Sequence, residues 1–393
     1  MKLANIKVDS GWHERKWCPV SVELELGVDV DIEKLILWDL DDGTAVPVQA
    51  HESEDKKIRL DWIITWMEPQ QTIRYELRAS EGSSAELTSG VHLSESEKGK
   101  LDVNVGGNLF TTYNFGEEVV RPYLYPVYAD KNVGITRNWP MVTGVEGETE
   151  DHPHHKGIYT AQGEVNGVDN WGEGEGHGYQ IHKEFLKTYD GPIAGGFEEN
   201  LVWTDSGRKA NMSETRQISF YSTPSSRRII DYAVTLAATE GKVTMGDTKE
   251  AGLLSVRVAT SMDAANQNGG MIINGMGGVQ EAETWGKHAP WCDYSGPIGD
   301  RWYGICLMDH PTNPRYPTPW HVRNYGLMTA NCFGFHHFTG DPDNMQDLIL
   351  EDGQSETWQY RILIHHGCGT DLDISEYFHD FANPPVVEVD TPA

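Results

Sequence analysis

Cysteine is scarce in this 393-residue chain, and what there is of it forms no pattern. Cys18, Cys292, Cys306, Cys332 and Cys368 are odd in number, widely scattered, and include no C-x-x-C pair. A disulfide framework and a cysteine-built zinc site are therefore not expected. Positive charge is scarce too: 31 Lys and Arg stand against 60 Asp and Glu, a formal net charge of −29. Polyanions would be repelled, so neither nucleic acid nor an anionic membrane surface is an expected partner. Such a charge speaks first to solubility, and an anionic substrate would need a locally basic pocket. No apolar run approaches the roughly eighteen residues of a membrane-spanning helix. The start, MKLANIKVDSGWHERKW, also lacks the apolar core of a signal peptide. The chain as it stands reads as cytoplasmic, or as periplasmic if a leader was removed ahead of this sequence.

What the chain does have is aromatic side chains and β periodicity. Thirteen Trp and sixteen Tyr exceed what a core of this size needs, and the excess suits a surface that stacks on flat ligand faces. Apolar residues alternate in SVELEL (Val22, Leu24, Leu26), KKIRLDW (Ile58, Leu60, Trp62) and TIRYELR (Ile73, Tyr75, Leu77), with a turn signal at DDGT. The stretch 79–100, ASEGSSAELTSGVHLSESEKGK, is small, polar and charged, and predicts a linker or long edge loop. Alternation resumes in SRRIIDYAVTLAA, AGLLSVRVAT and ETWQYRILIHHG, between long loops rich in Gly, Pro, Asn and His. The glycines of NGGMIINGMGG open no helix and predict turns rather than a nucleotide loop. One helix is expected, over DISEYFHDFANPP, capped by Asp373 with Glu376 three residues on and stopped at Asn383-Pro384. The fold class is thus mainly β, with a small β-sandwich at 1–85 and a large antiparallel β unit at 86–393 that carries the cleft.

Three constellations point to chemistry. The first is DHPHHKG. If it runs extended, His152 and His154 share a face and His155 points away. That spacing suits an acid/base histidine beside one that binds hydroxyls. It suits a divalent metal equally well, with Asp151 or Glu164 completing the shell, and a polar loop of hydrogen-bonded histidines would look the same. The second is GDTKEAGLLSVRV, where Glu250 at a strand entrance and Arg257 further along could reach into a cleft. Lys249 would keep Glu250 charged, or the two would form an ordinary surface ion pair. In the third, Pro311, Pro314, Pro317 and Pro319 forbid helix or inner strand and predict a rigid loop. That loop would present His310, Asn313, Arg315, Trp320, His321 and Arg323, with Lys287, His288, Trp291 and Asp293 offered in the same style by WGKHAPWCDYSG. Trp beside His and Arg suits a sugar; any single Trp is better explained by core packing, but the set is better explained by a binding cleft.

These stretches carry a resemblance. RPYLYPVY, GITRNWP, DHPHHKGIYTAQGEVNGVDNWGE, DTKEAGLLSVRV, WGKHAPWCDYSG and DHPTNPRYPTPWHVRNYGLMTANCFG are similar to a bacterial family known as a domain of unknown function, often labelled a methane oxygenase subunit. A membrane-embedded oxygenase subunit is not expected of a chain without an apolar span. What the resemblance implies is an enzyme of carbohydrate catabolism. Arg121 in RPYLYPVY and Lys156 in DHPHHKG are further candidate substrate-binding residues. The β-rich body and the ending LEDGQSETWQYRILIHHG also resemble the galactose-mutarotase-like supersandwich of sugar epimerases, polysaccharide lyases and some glycosidases.

The expected function is a carbohydrate-active enzyme that cleaves or rearranges a glycoside or sugar acid. His154 or His155 with Glu250 would transfer protons, and Arg257 would orient the substrate. Arg121, Asp151, His152, Lys156, Lys249, Lys287, Trp291, His310, Asn313, Trp320, His321 and Arg323 would bind the saccharide. No cofactor is assumed, with a divalent metal at the histidine cluster as the alternative that would make the protein an oxidoreductase. A third possibility is a non-catalytic saccharide-binding protein. The loop 309–323 is expected beside the histidine loop.

Overall fold

The computed structural model describes residues 1–52, 57–79, 90–265 and 269–391. The chain is mainly β, and every pairing between its named strands is antiparallel. Two sandwiches account for nearly all of it. In the small one, a five-stranded sheet (Lys2–Asp9, Leu35–Asp39, Thr44–Val46, Thr72–Ala79 and Val386–Asp390) faces a three-stranded sheet (Arg15–Leu24, Gln49–Glu52 and Ile58–Met67). The alternating residues Leu60, Trp62, Tyr75 and Leu77 meet there in one core. The DDGT signal turns the hairpin between Leu35–Asp39 and Thr44–Val46, where Asp39 accepts the N–H groups of Asp41 and Asp42 at 2.8 and 3.0 Å.

The C-terminal strand departs from the expected division at residue 85. Val386–Asp390 pairs with Lys2–Asp9, so the small sandwich is closed by the last strand of the chain. Local periodicity carries no information about so distant a partner.

The large sandwich packs a nine-stranded sheet on an eight-stranded one. Ile230, Tyr232, Val234 and Leu236 from one strand and Trp358, Tyr360, Ile362 and Ile364 from its neighbour are all buried in this core, as their alternation requires. Part of the polar stretch expected as a linker is strand instead. Residues 80–89 lie outside the described residues, but Val91–Glu97 and Lys100–Val105 form a hairpin at the edge of the nine-stranded sheet. Val91–Glu97 is the outermost strand and needs few apolar side chains, so hydropathy did not show it, whereas Leu101, Val103 and Val105 of its partner alternate into the core. Likewise Met271–Asn274, within the glycine-rich run, is the edge strand of the eight-stranded sheet. Asn268 lies outside the described residues.

The expected helix forms over Ile374–Ala382, with Ile374, Tyr377 and Phe378 buried against the eight-stranded sheet. Asp373 precedes it but its side chain makes no capping hydrogen bond. Two five-residue helices, Gln280–Thr284 and Phe335–Thr339, had no periodic signal because each is barely longer than one turn. Among the described residues, no helix is long and apolar enough to cross a membrane.

Candidate functional site

Register places two rows of side chains on the nine-stranded sheet. Val322, Met328, Val256, Ile158 and Leu124 stand opposite one another across five strands and enter the core. The alternate row, His321, Thr329, Ser255, Tyr159 and Tyr123, points to the other face, because directly paired residues share a side of the sheet. On that outer face Tyr123, Tyr159, Trp171 and Leu327 form a separate aromatic-rich cluster, with Tyr125 and Tyr325 packed against it.

The histidine loop lies over this face and is not extended. His152 has φ of 39°, and its carbonyl accepts the N–H of His155 at 3.0 Å, so the segment is a tight turn. His152 and His154 therefore do not share a strand face, and their rings stand 5.8 Å apart and nearly perpendicular. His152 instead lies flat between His155 (4.9 Å, 3°) and Tyr325 (5.1 Å, 6°). A non-glycine residue held at positive φ inside a polar cluster is the kind of strain that gathers at functional sites.

Asp151 organises the turn. Its Oδ1 accepts from Arg137 and, at 2.9 Å, from Arg257, while its Oδ2 stands 3.2 Å from His152 Nδ1. Burial works against its charge, but Arg257 and Arg137 outweigh that and hold the carboxyl below its usual range. Arg137 also donates to the His152 carbonyl at 2.9 Å and so pins the loop. Both guanidiniums are fully enclosed.

The three histidines thus have three environments. His155 is buried, its Nδ1 accepts from Arg257 at 3.2 Å, and burial first and His154 second push its pKa well down. It is a neutral imidazole whose Nε2 is enclosed and has no hydrogen-bond partner among the described residues. His154 is half-buried, and burial, then Arg121 and His152, lower it to about 4, so it too is neutral at physiological pH. His152 is the solvent-facing ring, 41% exposed, and carries the carboxylate contact. Below the loop, Lys156 forks onto Glu173 at 2.7 and 2.9 Å. Arg121 is buried, donating to the carbonyls of His154, Trp171 and Gly172 at 3.2, 2.6 and 3.0 Å. Arg121 and Lys156 brace the loop rather than face solvent.

Other expected site residues are distributed differently. Arg323 lies 5.5 Å over the Tyr325 ring, and Arg257 lies 4.9 Å from the same ring, so both adjoin the cluster. Lys249 and Glu250 pair at 3.3 Å, each more than two-fifths exposed. Six residues of strand, roughly 20 Å of backbone, lie between Glu250 and Arg257. No hydrogen bond or ion pair among the described residues joins Glu250 to a histidine of the loop. His321 is on the same sheet face but buried, accepting from Trp285 Nε1 at 3.2 Å, with burial and then Arg323 lowering it to about 3.

The proline-rich loop does not present its other groups to this face. Trp320 is fully buried in the core and donates to the Ala289 carbonyl at 2.9 Å. Asn313 is buried, its amide donating to Asp309 and to the Gln359 carbonyl at 2.7 Å each. His310 packs its ring on Phe381, 4.8 Å away, and Trp291 joins the same cluster under the C-terminal helix, so both belong to the far sheet. Lys287 is exposed, and among the described residues it enters only main-chain bonds, to Thr284 and Trp320. The Trp and Asn of the loop answer to packing and backbone satisfaction.

Several residues of the site carried no chemical signal of their own. Arg137 stands in GITRNWP, Trp171 and Glu173 in DNWGE, and Tyr325 in RNYG, all inside motifs already noted. His336 and His337 lie in GFHHF. His336 Nδ1 meets Asp247 Oδ1 at 2.8 Å, and His337 is lowered by burial and by His336, with Lys249 and Glu250 also acting on it. Among the described residues, no group of three or more His, Cys, Asp or Glu is arranged to hold a metal ion.

A profile of the DUF6807 family, a family of unknown function, matches residues 100–379. The chain belongs to that family. The match takes in the histidine loop, the strand ending in Arg257 and the Tyr325 turn. No curated protein sequence matches the chain. Among solved structures, it is similar to a glycosyl hydrolase family 38 protein from Enterococcus faecalis, at 10% identity and a TM-score of 0.39, over 100% of this chain and 47% of that one. It is also similar to an alpha-mannosidase from Enterococcus faecalis V583, at 10% identity and a TM-score of 0.41, over 99% and 46%. The chain spans about half the length of these two proteins.

Proposed function

We propose that the protein is a carbohydrate-active enzyme that cleaves or rearranges a glycoside, with His152 as the proton-transfer group and Asp151 as its orienting carboxylate. The observation that carries this reading is the Asp151–His152 contact at 3.2 Å, with the other Asp151 oxygen clamped by two buried guanidiniums. An imidazole fixed by a carboxylate is a standard arrangement for moving a proton near neutral pH. The clamp keeps Asp151 charged, and stacking between His155 and Tyr325 holds the ring at the surface. The saccharide part of the reading rests on the aromatic face beneath the loop and the cations Arg323 and Lys249 at its margin.

The acid/base role expected of His155 moves to His152, because His155 is enclosed and bonded to Arg257. Glu250 keeps only a marginal place, as a carboxylate beside Lys249. The experiment is a glycoside screen followed by His152→Ala, Asp151→Asn, His155→Ala and Glu250→Gln, each measured for turnover and for melting temperature. Loss of about 10²–10⁴ in turnover with an unchanged melting temperature is expected for the first two. His155→Ala should instead lower stability by about 1–3 kcal/mol, since it leaves a buried Arg257 N–H without its acceptor. Full turnover in His152→Ala would end the proposal.

A further inference from the structure

On the outer face, against Tyr125 of the aromatic cluster, lies a hollow of about 490 Å³ whose lining includes Tyr125, Tyr128, Asn132, Thr136, Asn138 and Val142. We infer that it is a saccharide subsite of the candidate active site, and that the saccharide it takes is uncharged. This inference rests on the reading of the protein as a carbohydrate-active enzyme and names the substrate class of that site.

Three observations carry it. The hollow is linked to the site through the segment that carries Arg137 and through Tyr125. Thr136 and Asn138 line it, and Arg137 between them reaches the other way to clamp Asp151 and the His152 carbonyl. Tyr125 lines it and also packs on the aromatic cluster that contains Tyr159 and Trp171.

Second, the chemistry of the lining is that of a sugar site. In a chain of net charge −29, no Asp, Glu, Lys, Arg or His among the described residues lines this hollow. Two aromatic rings, two amides and a hydroxyl provide faces for C–H groups and partners for hydroxyls. Neither a carboxylate nor a phosphate would find a counter-charge there, so the occupant is neutral.

Third, part of the lining is already held in place. Asn138 Oδ1 accepts from the Tyr125 hydroxyl at 3.0 Å, and its Nδ2 donates to Glu148 at 3.2 Å. Its N–H is held by Glu148 as well, at 2.8 Å. A side chain whose orientation is set before binding costs little to order on binding. The volume is within the roughly 300–1,000 Å³ of ordinary ligand pockets.

The test is calorimetric binding of neutral tetrasaccharides (manno-, cello-, xylo- and malto-linked) and of tetragalacturonate to the whole protein. The proteins compared are wild type, Tyr128→Ala, Val142→Trp and His152→Ala. Val142 is 46% exposed, so a bulkier side chain there fills the hollow without entering the core. At least one neutral tetrasaccharide should bind wild type and the turnover-deficient His152→Ala, and bind at least tenfold more weakly to both hollow variants. Preference for tetragalacturonate would overturn the inference. So would neutral binding that Tyr128→Ala and Val142→Trp leave unchanged, although the saccharide reading would then stand. If no saccharide binds wild type, both fail together.

Discussion

At the residue scale, the charge states of the site follow from what surrounds each ring. His321 shows the sign of the effect. Its folded pKa is lowered to about 3, chiefly by burial, whereas an unfolded histidine titrates near 6.5. The folded state therefore favours the neutral ring. The stability this contributes is present above about pH 6.5 and is lost progressively as the pH falls toward 3. His321→Gln removes that titration while keeping a group able to accept from Trp285. The variant should lose less stability than wild type between pH 7 and pH 4, measured as urea midpoints. Equal slopes for the two proteins would show that the buried ring does not titrate in this way. His154, at about 4, adds to acid sensitivity in the same direction. Lys249 and Glu250 illustrate the opposite case. Their charges were readable in the sequence, but both are solvated and their pairing is of the weak surface kind.

At the element scale, the histidine loop depends on how its strand is entered. Gly157 has φ of 57° and sits against the Leu124 carbonyl on the neighbouring strand, where a Cβ would collide with backbone. Neither the positive φ nor the close approach is open to another residue without movement. Gly157→Ala should destabilise the protein by about 2 kcal/mol or more and shift the turn that carries His152 and His155. The loss should appear in denaturation midpoints and as reduced turnover per folded molecule. A variant with unchanged stability would mean that the loop can re-enter the strand another way. The same scale explains two misplacements. DHPHHKG looks extended because X-Pro favours extension, yet the His152 and Arg137 contacts impose a turn. The proline-rich loop was expected to display Trp320, but after Pro319 the chain becomes the edge strand Trp320–Val322, whose alternation sends Trp320 inward.

At the scale of the whole molecule, the two ends of the chain meet in the small sandwich. Val386–Asp390 pairs with Lys2–Asp9, and Val387 and Val389 pack against the small core. Removing residues 385–393 should lower stability by about 1–3 kcal/mol, from the lost burial of two partly covered valines. It should also speed amide exchange in Lys2–Asp9. The site on the nine-stranded sheet lies in the other sandwich, so turnover at a temperature where the shortened protein stays folded should be unchanged. Exchange rates identical to wild type would show that the terminal strand contributes nothing to the sheet.

The sequence by itself determined the β class, the long alternating strands, the C-terminal helix and the loop in which the chemistry gathers. Each of these depends on local spacing: period two for a half-buried strand, an apolar stripe for a helix, glycine and proline for turns. It could not determine which histidine faces solvent, because that depends on where Arg137, Arg257 and Tyr325 arrive from strands and turns far along the chain. It could not set the row His321, Thr329, Ser255, Tyr159 and Tyr123 either, since register belongs to pairs of strands and not to one. Burial decided the rest. The same imidazole is a buried acceptor at 155, a half-buried neutral ring at 154 and an exposed partner of a carboxylate at 152, and only the tertiary structure sets those surroundings apart.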